Sequence, residues 1–370
     1  MARESATESA DDTKWRRWRA VARLYHAVFA GLILSVTARR GAPAAAEFVF
    51  RIFRHQQLER FLPGLDKLGL KGLPPAVAAA QYHYLSNWIG GVPVEYMYES
   101  DRKAWIRYPP PRWIWRGTVI AGIPSEVSHA MLRGWHGNNG VVLGNLKLGF
   151  VCTKQTVDGQ DGLEGYYYEY DHDLVVEERV VFAREQEAPA FDFAKSPALP
   201  VDAWPRPRLE KAFRNYAMEY VRTAAPVMIQ QFGPEDGGHL LRLTAKLIGM
   251  QYFHETAQAL LPERSALWAS NSFTGAGGAR VTASDVAAFV SAMLSAQDDI
   301  AEVSPTARGT EIAQRSWRLM DGVTYHPACV QVLDGLIEGL AAAAGRGIVA
   351  RRLVDDAASG EFVWRISDPQ

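Results

Sequence analysis

The residues best suited to chemistry lie in one short segment, Arg133 to Gly140, which reads RGWHGNNG. It combines an imidazole, two carboxamides and glycines that let a backbone approach a ligand closely. Histidine is the commonest general acid or base near neutral pH. We therefore take His136 as the candidate acid/base, with Asn138 and Asn139 orienting a substrate beside Trp135. Asn-Asn-Gly is also typical of a plain helix-ending turn, and that alternative stays open.

Cys152 lies in the apolar segment that follows. A thiolate nucleophile needs a neighbouring cation or imidazole that lowers its pKa, and His136 or Lys154 could serve. Alternate residues of a strand share a face, so we expect Cys152 and Lys154 to point together. A buried structural cysteine is the other interpretation.

Two further positions could complete the wall of a small-molecule pocket. His83 and Asn87 are four residues apart in a predicted helix and share one face. Tyr168 lies in a later strand rich in tyrosine. The alternative for His83 is a place in a buried network beside packed aromatic residues.

Familiar metal and nucleotide motifs are missing from the sequence. His254-Glu255 begins like a zinc-protease helix, but position 258 is Gln. Asp171-His172-Asp173 are adjacent and cannot all converge from one strand, so whether they bind a cation stays open. The chain has two cysteines and no paired-cysteine motif, and no phosphate-binding glycine loop or serine elbow. We expect neither a metal nor a cofactor.

Composition restricts the partners. The chain carries 40 basic and 41 acidic residues, a formal charge of −1, which excludes a strong field for nucleic acid. The longest apolar run, Ala27 to Val36, is too short for a bilayer span and indicates no integral membrane association. Two cysteines favour a reducing cytoplasm. A small molecule is therefore the expected partner, and a homo-oligomer is compatible with these features.

Helical periodicity and strand alternation set out the first half. They predict helices over 13–40, 43–61, 75–88 and 125–135, a hairpin over 94–108, paired strands around Asp158-Gly159, and a strand within 174–182. Residues 184–207 contain five prolines and are predicted to be a linker.

The second half repeats this order of elements. Helices are predicted over 209–231, 238–261, 284–297 and 325–343, with a kink at Pro226 and Ser284 as an N-cap. A hairpin over 300–319 should have Pro305 and Gly309 in its turn, and a last hairpin closes the chain.

The two halves end alike, which suggests an internal duplication. Gly149 would align with Gly347, and Tyr166–Tyr168–Tyr170 with Phe362–Trp364–Ile366. We therefore predict an α+β fold of two related repeats of helices plus antiparallel hairpins, packed as a pseudo-dimer. Residues 13–183 are the candidate active copy, 184–207 the linker and 208–370 the candidate degenerate copy. In the second copy the stretch that corresponds to RGWHGNNG, residues 334–344, has no His and no Asn.

The closing pattern resembles the 4-vinyl-reductase-like and L-2-amino-thiazoline-4-carboxylate hydrolase-like families. The residues that carry the resemblance are Thr156, Asp158, Gly159 and the strand 165–170, and in the second half Asp355, Gly360 and the strand 362–366. Those families usually carry a cysteine in the last strand, where this chain has Tyr or Trp.

The resemblance implies a small-molecule enzyme, and we expect a metal-independent hydrolase acting on a C–N bond. His136, Cys152 and Asn139 would be catalytic. Trp135, Asn138, His83, Asn87, Lys154 and Tyr168 would bind the substrate. The alternatives are a non-catalytic binding module for an aromatic or hydrophobic ligand, and an assembly protein. A pocket lined by His136, Asn139 and Cys152 would favour the enzyme, and an apolar cavity without them the binder.

Overall fold

Apolar residues at helical spacing produce the long first helix, α1 (Ala10–Arg40), as the periodicity predicts. The computed structural model describes residues 9–110, 114, 117–199, 202–270, 280–356 and 360–369. The chain forms a middle unit, residues 33–209, and a terminal unit, residues 1–32 with 210–370. The start of α1 thus groups with the C-terminal half, whereas the sequence analysis placed it with the N-terminal half.

The middle unit is a mixed sheet packed with helices. Its elements are α2 (Ala42–Lys67), α3 (Pro75–Ile89), β1 (Glu95–Ser100), β2 (Lys103–Tyr108), α4 (Ser125–Gly134), α5 (Asn139–Val142), β3 (Leu148–Lys154), β4 (Leu163–Glu169) and β5 (Val180–Phe182). The strand order is β1-β2-β4-β3-β5. All neighbours are antiparallel except β3 and β5. Helix α3 packs on β1, β2 and β4.

The face of this sheet away from α3 is covered by chain that was predicted to be a linker. Met97, Trp105, Val151 and Tyr166 form a buried cluster there, and Ala188 and Phe191 pack against it. The many prolines of residues 184–207 therefore do not make the whole segment a spacer, because its apolar side chains cover the sheet.

The terminal unit also contains helices and antiparallel hairpins. Its elements are α6 (Arg206–Leu260), α7 (Ser265–Ser270), α8 (Ala283–Ala296), β6 (Ala301–Thr306), β7 (Gly309–Gln314), α9 (Gln331–Ala344), β8 (Val349–Asp356) and β9 (Glu361–Ser367). The strand order is β6-β7-β9-β8, all antiparallel. Both units are α+β, as predicted.

Three local predictions for this unit were wrong. Helix α6 continues through Pro226 and leaves helical geometry at Gly233 (φ 82°), because glycine adopts that backbone freely before Pro234. The N-cap of α8 is Thr282, which forms a capping box with Asp285, and not Ser284. Pro305 lies in β6, an edge strand where its missing N–H is tolerated.

Two helical segments, Ala10–Arg40 and Pro327–Ala344, are long and apolar enough to cross a membrane. Two thirds of each apolar window is buried inside the protein. Core helices of soluble proteins share this pattern.

Candidate functional site

Six buried polar side chains meet in the middle unit between its helices and the inner face of its sheet. They are Gln57, His83, His136, Asn138, Asn139 and Tyr167, each at most 5% exposed. We call them the imidazole cluster. Four of them were predicted from the sequence as site residues, and the fold brings these four together from two separate segments.

Glycines allow the turn after α4 to pack closely against α2 and β3. Helix α4 ends at Gly134, a 3-10 turn covers His136–Asn138, and α5 starts at Asn139. A Cβ at Gly140 would lie 2.5 Å from the Leu148 carbonyl oxygen, and one at Gly134 would lie 2.8 Å from that of Phe50. Larger residues could not bring the imidazole and both amides this close to the sheet.

A directional chain of hydrogen bonds runs through the imidazole cluster. Asn138 Nδ2 donates to Gln57 Oε1 (2.7 Å), and Gln57 Nε2 donates to Asn139 Oδ1 (3.1 Å). Asn139 Nδ2 then donates to the hydroxyl of Tyr167 (2.8 Å). The tyrosine's own proton is left to donate to Nδ1 of His136, 2.7 Å away. Each buried polar group is thereby supplied with a partner.

His83 closes the cluster from α3. Its ring stacks on that of His136 with centroids 4.2 Å apart and planes 11° from parallel. Its Nδ1 lies 3.1 Å from the Tyr108 hydroxyl, and its Nε2 lies 3.5 Å from Asn139 Nδ2. Donation from Nδ1 and acceptance at Nε2 satisfy both contacts.

Burial away from water determines the protonation states of His83 and Tyr167 in the cluster. Burial lowers the pKa of His83 to about 3, because the charged imidazolium would lose its hydration. Burial likewise raises the pKa of Tyr167 well above its usual range. At neutral pH the cluster therefore offers a neutral imidazole and a neutral phenol, which are suited to hydrogen bonding.

Aromatic rings surround the two imidazoles. Trp135 stacks near Tyr82 (6.3 Å between centroids) and lies edge-on to His83 (5.9 Å). Phe150 lies 4.4 Å from the ring of His136. The indole N–H of Trp135 is buried and has no hydrogen-bond partner within the described part of the chain. A buried donor without an acceptor is costly unless a ligand or water supplies one.

Cys152 and Lys154 do not point together, contrary to the prediction. The pairing of β3 with β4 shifts at Thr153, so Cys152 lies opposite Gly165 and Lys154 opposite Glu164. This bulge turns Lys154 to the outer face of the sheet, which is the face away from α3. There its ammonium pairs with Glu187 (2.5 Å) and Asp161 (3.3 Å). The thiol of Cys152 is buried and donates to the Lys154 carbonyl oxygen at 3.4 Å.

Tyr168 also lies away from the cluster. It packs against the outer-face residues and its ring contacts Tyr166 and Tyr170. Its neighbour Tyr167 occupies the inner face, since successive strand residues alternate. Asn87 lies at the margin of the cluster, and its amide donates to the carbonyl oxygen of His83 (2.8 Å).

The structure shows no metal centre among the residues it describes. No group of three acidic, His or Cys side chains there is placed to hold an ion. The Asp171-His172-Asp173 turn is exposed, and Asp171 forms an ion pair with Arg102 (2.7 Å).

Two members of the imidazole cluster, Gln57 and Tyr167, were not predicted from the sequence, and neither was Tyr108, which contacts His83. Gln57 had a readable signal, because it falls on one helix stripe with Phe53 and Phe61 at four-residue spacing. A polar residue on an apolar stripe indicates a buried hydrogen bond. Tyr108 and Tyr167 depend on strand register, which one tyrosine-rich segment does not determine.

Comparison with known proteins returned no relative: no protein-family model, no curated protein and no solved structure matches this chain.

Proposed function

We propose that the chain is a small-molecule-binding protein whose middle unit holds an aromatic or hydrophobic ligand at the imidazole cluster. The observation that carries the proposal is the stacked pair of His83 and His136 beside the unpartnered indole N–H of Trp135. Apolar walls with a few convergent neutral polar groups are the usual composition of small-ligand sites.

One long contact in the cluster supports a position for such a ligand. The contact between His83 Nε2 and Asn139 Nδ2 is long for a hydrogen bond, at 3.5 Å, and therefore costs little to displace. A hydroxyl inserted there would donate to His83 and accept from the Trp135 N–H, while its ring packs among the aromatic side chains. A phenol meets these demands, whereas toluene lacks the polar group.

The test is a calorimetric titration of phenol and toluene into the protein. We expect phenol to bind more tightly, and Trp135→Phe to weaken phenol binding about fivefold, the worth of one hydrogen bond. Toluene binding should be unchanged in that variant. Trp88→Phe is the matched control, because Trp88 is 48% exposed on the same unit. Equal phenol affinity in all three proteins would refute the proposal.

A hydrolase acting on a C–N bond is a second candidate, favoured by the 2.7 Å contact between Tyr167 and His136. In that reaction the Tyr167 hydroxyl would turn away from His136, and Nδ1 of His136 would take a proton from the water that attacks the substrate carbon. The C–N bond would then break, and His136 would pass that proton to the departing amine. Cys152 would act as nucleophile only with a base other than Lys154, which faces away. Ammonia or amine release from a panel of cyclic and aryl amides tests this. Release that persists in His136→Gln would eliminate the role of His136.

We further propose that the two units arose by duplication. The support is a shared strand order, β1-β2-β4-β3 and β6-β7-β9-β8, with a register shift at Thr153 in one sheet and at Leu353 in the other. Aligning these shifts matches Tyr167 with Ile366. The sequence pattern matches Tyr166–Tyr168–Tyr170 with the buried Phe362–Trp364–Ile366, which is three residues out of register with this pairing. Superposition of experimental structures of the two units tests this, and different strand orders would refute it.

A further inference from the structure

The terminal unit contains a cleft that the proposed function does not use. Its volume is about 620 Å³, within the usual range for small-ligand sites. It lies beside the start of β6 and the segment that follows β7, and its walls include Ile300, Trp317, Arg318, Met320 and Tyr325.

One wall of the cleft is aromatic and includes Trp317 and Tyr325. The rings of Trp317 and Tyr325 meet edge to face at 5.3 Å, and Phe362 supports Trp317 at 5.8 Å. Trp317 is only 4% exposed, and within the described residues its indole N–H has no hydrogen-bond partner. A hydrogen-bond acceptor on a bound molecule would satisfy the indole N–H of Trp317.

The buried carboxyl group of Asp299 holds the segments that line the cleft through hydrogen bonds. Asp299 accepts hydrogen bonds from Gln297 and from Gln314 (3.2 Å), and from the backbone N–H of Arg318. Gln297 in turn accepts from the hydroxyl of Tyr25 (2.8 Å). The segment that lines the cleft is thus held in place before any ligand arrives, which lowers the entropic cost of binding.

The backbone at the mouth of the cleft is unusual. Asp298 has φ 67°, and it is the one non-glycine residue with positive φ in the part of the chain described. The corresponding helix end in the middle unit uses Gly91 (φ 70°). The Asp298 carboxylate pairs with the fully buried Arg214 (2.8 Å) and with Lys211 (3.2 Å). Residues held in such conformations concentrate at binding sites.

We propose that this cleft is a second binding site, for a small aromatic molecule that carries a carbonyl or carboxylate oxygen. The oxygen accepts the Trp317 N–H, and the ring packs against Tyr325 and Met320. The two carboxylates at the rim are already paired, Asp298 with Arg214 and Asp321 with Arg318 (2.6 Å). Among the described residues that line the cleft, no acidic group is therefore left unpaired to select a cation. This site is independent of the imidazole cluster.

Benzamide and benzoate are the probes, titrated while the indole N–H signals are followed by NMR. We expect a saturable shift of the Trp317 N–H with a Kd near 1 mM, typical of a fragment-sized ligand. Trp317→Phe should weaken binding about fivefold. Thr324→Trp, which fills the cleft from an exposed position, should abolish binding even if the first variant is poorly folded.

The same titration in Trp135→Phe separates this site from the imidazole cluster. Binding that survives in Trp135→Phe and is lost in Thr324→Trp supports the cleft. Absence of any saturable shift at about 10 mM probe, far above that Kd, would overturn the proposal. So would a shift that Thr324→Trp leaves unchanged.

Discussion

The imidazole rings of His83 and His136 lie parallel with their centroids 4.2 Å apart, one from α3 and one from the turn after α4. Two cations could not stack at this distance in a dry site without strong repulsion. The burial that lowers the pKa of His83 to about 3 therefore also permits the stacking. This relationship links the folding of the middle unit to pH.

Acid should destabilise the protein through His83. In the unfolded chain this imidazole takes up a proton below pH 6.5, whereas in the folded protein it does so only near pH 3. Its contribution to stability is therefore complete above pH 6.5 and is lost as the pH falls toward 3, by at most about 1.4 kcal/mol per pH unit. Urea unfolding between pH 3.5 and 7.5 should show a flatter profile for His83→Gln than for the wild type.

His55→Gln is the control for that experiment, because His55 is an exposed histidine on α2 of the same unit. Its profile should run parallel to that of the wild type. A His83→Gln profile that is also parallel would show that His83 does not resist protonation in the folded protein.

Asp299 should act in the opposite direction. Burial raises the pKa of its carboxyl to about 7, against 3.8 for an unperturbed Asp, although Arg214 opposes the shift. The stabilising contribution of the protonated form is complete below pH 3.8 and is lost as the pH rises through 7. Asp299→Asn should therefore gain stability relative to the wild type as the pH rises from 4 to 8. A relative stability independent of pH would contradict this.

The cap of α8 can be tested by paired substitutions. The hydroxyl of Thr282 accepts the backbone N–H of Asp285, and the carboxylate of Asp285 accepts that of Thr282. Thr282→Ala should lower the free energy of unfolding by about 1 kcal/mol. Ser284→Ala, at the exposed position that the sequence favoured as the cap, should change it by less than about 0.5 kcal/mol. A larger loss at Ser284 would reverse the assignment.

Close packing of α9 on α6 depends on glycine. A Cβ at Gly339 would lie 2.0 Å from the backbone oxygen of Lys246, and one at Gly335 would lie 2.0 Å from that of Arg242. Gly339→Ala should destabilise the protein by about 1–3 kcal/mol, because the helices must move apart. Ala342→Ser, on the exposed side of α9, is the control for thermal unfolding. A neutral Gly339→Ala would contradict the close approach.

Periodic features of the fold could be predicted from the sequence, and so could four of the six members of the imidazole cluster. Apolar spacing located α1, α3 and α9, and the residues RGWHGNNG pointed to His136 and Asn139. Those predictions rest on local patterns, which each segment carries by itself.

Strand register, and the packing of distant chain segments on a sheet, could not be predicted in the same way. A bulge of one residue at Thr153 separates Cys152 from Lys154, and a slip of one residue exchanges Tyr167 for Tyr168. Side-chain period in a strand is two, so an error of one residue reverses the face. Phe191, in a proline-rich segment, packs on the sheet because of a distant apolar surface.

Ligand binding at the imidazole cluster can be followed directly through the side-chain N–H signal of Trp135. Phenol titration should shift this signal downfield to saturation, because the indole gains an acceptor, and toluene should not. No shift with phenol, or the same shift with both compounds, would contradict the proposed hydrogen bond and with it the ligand site.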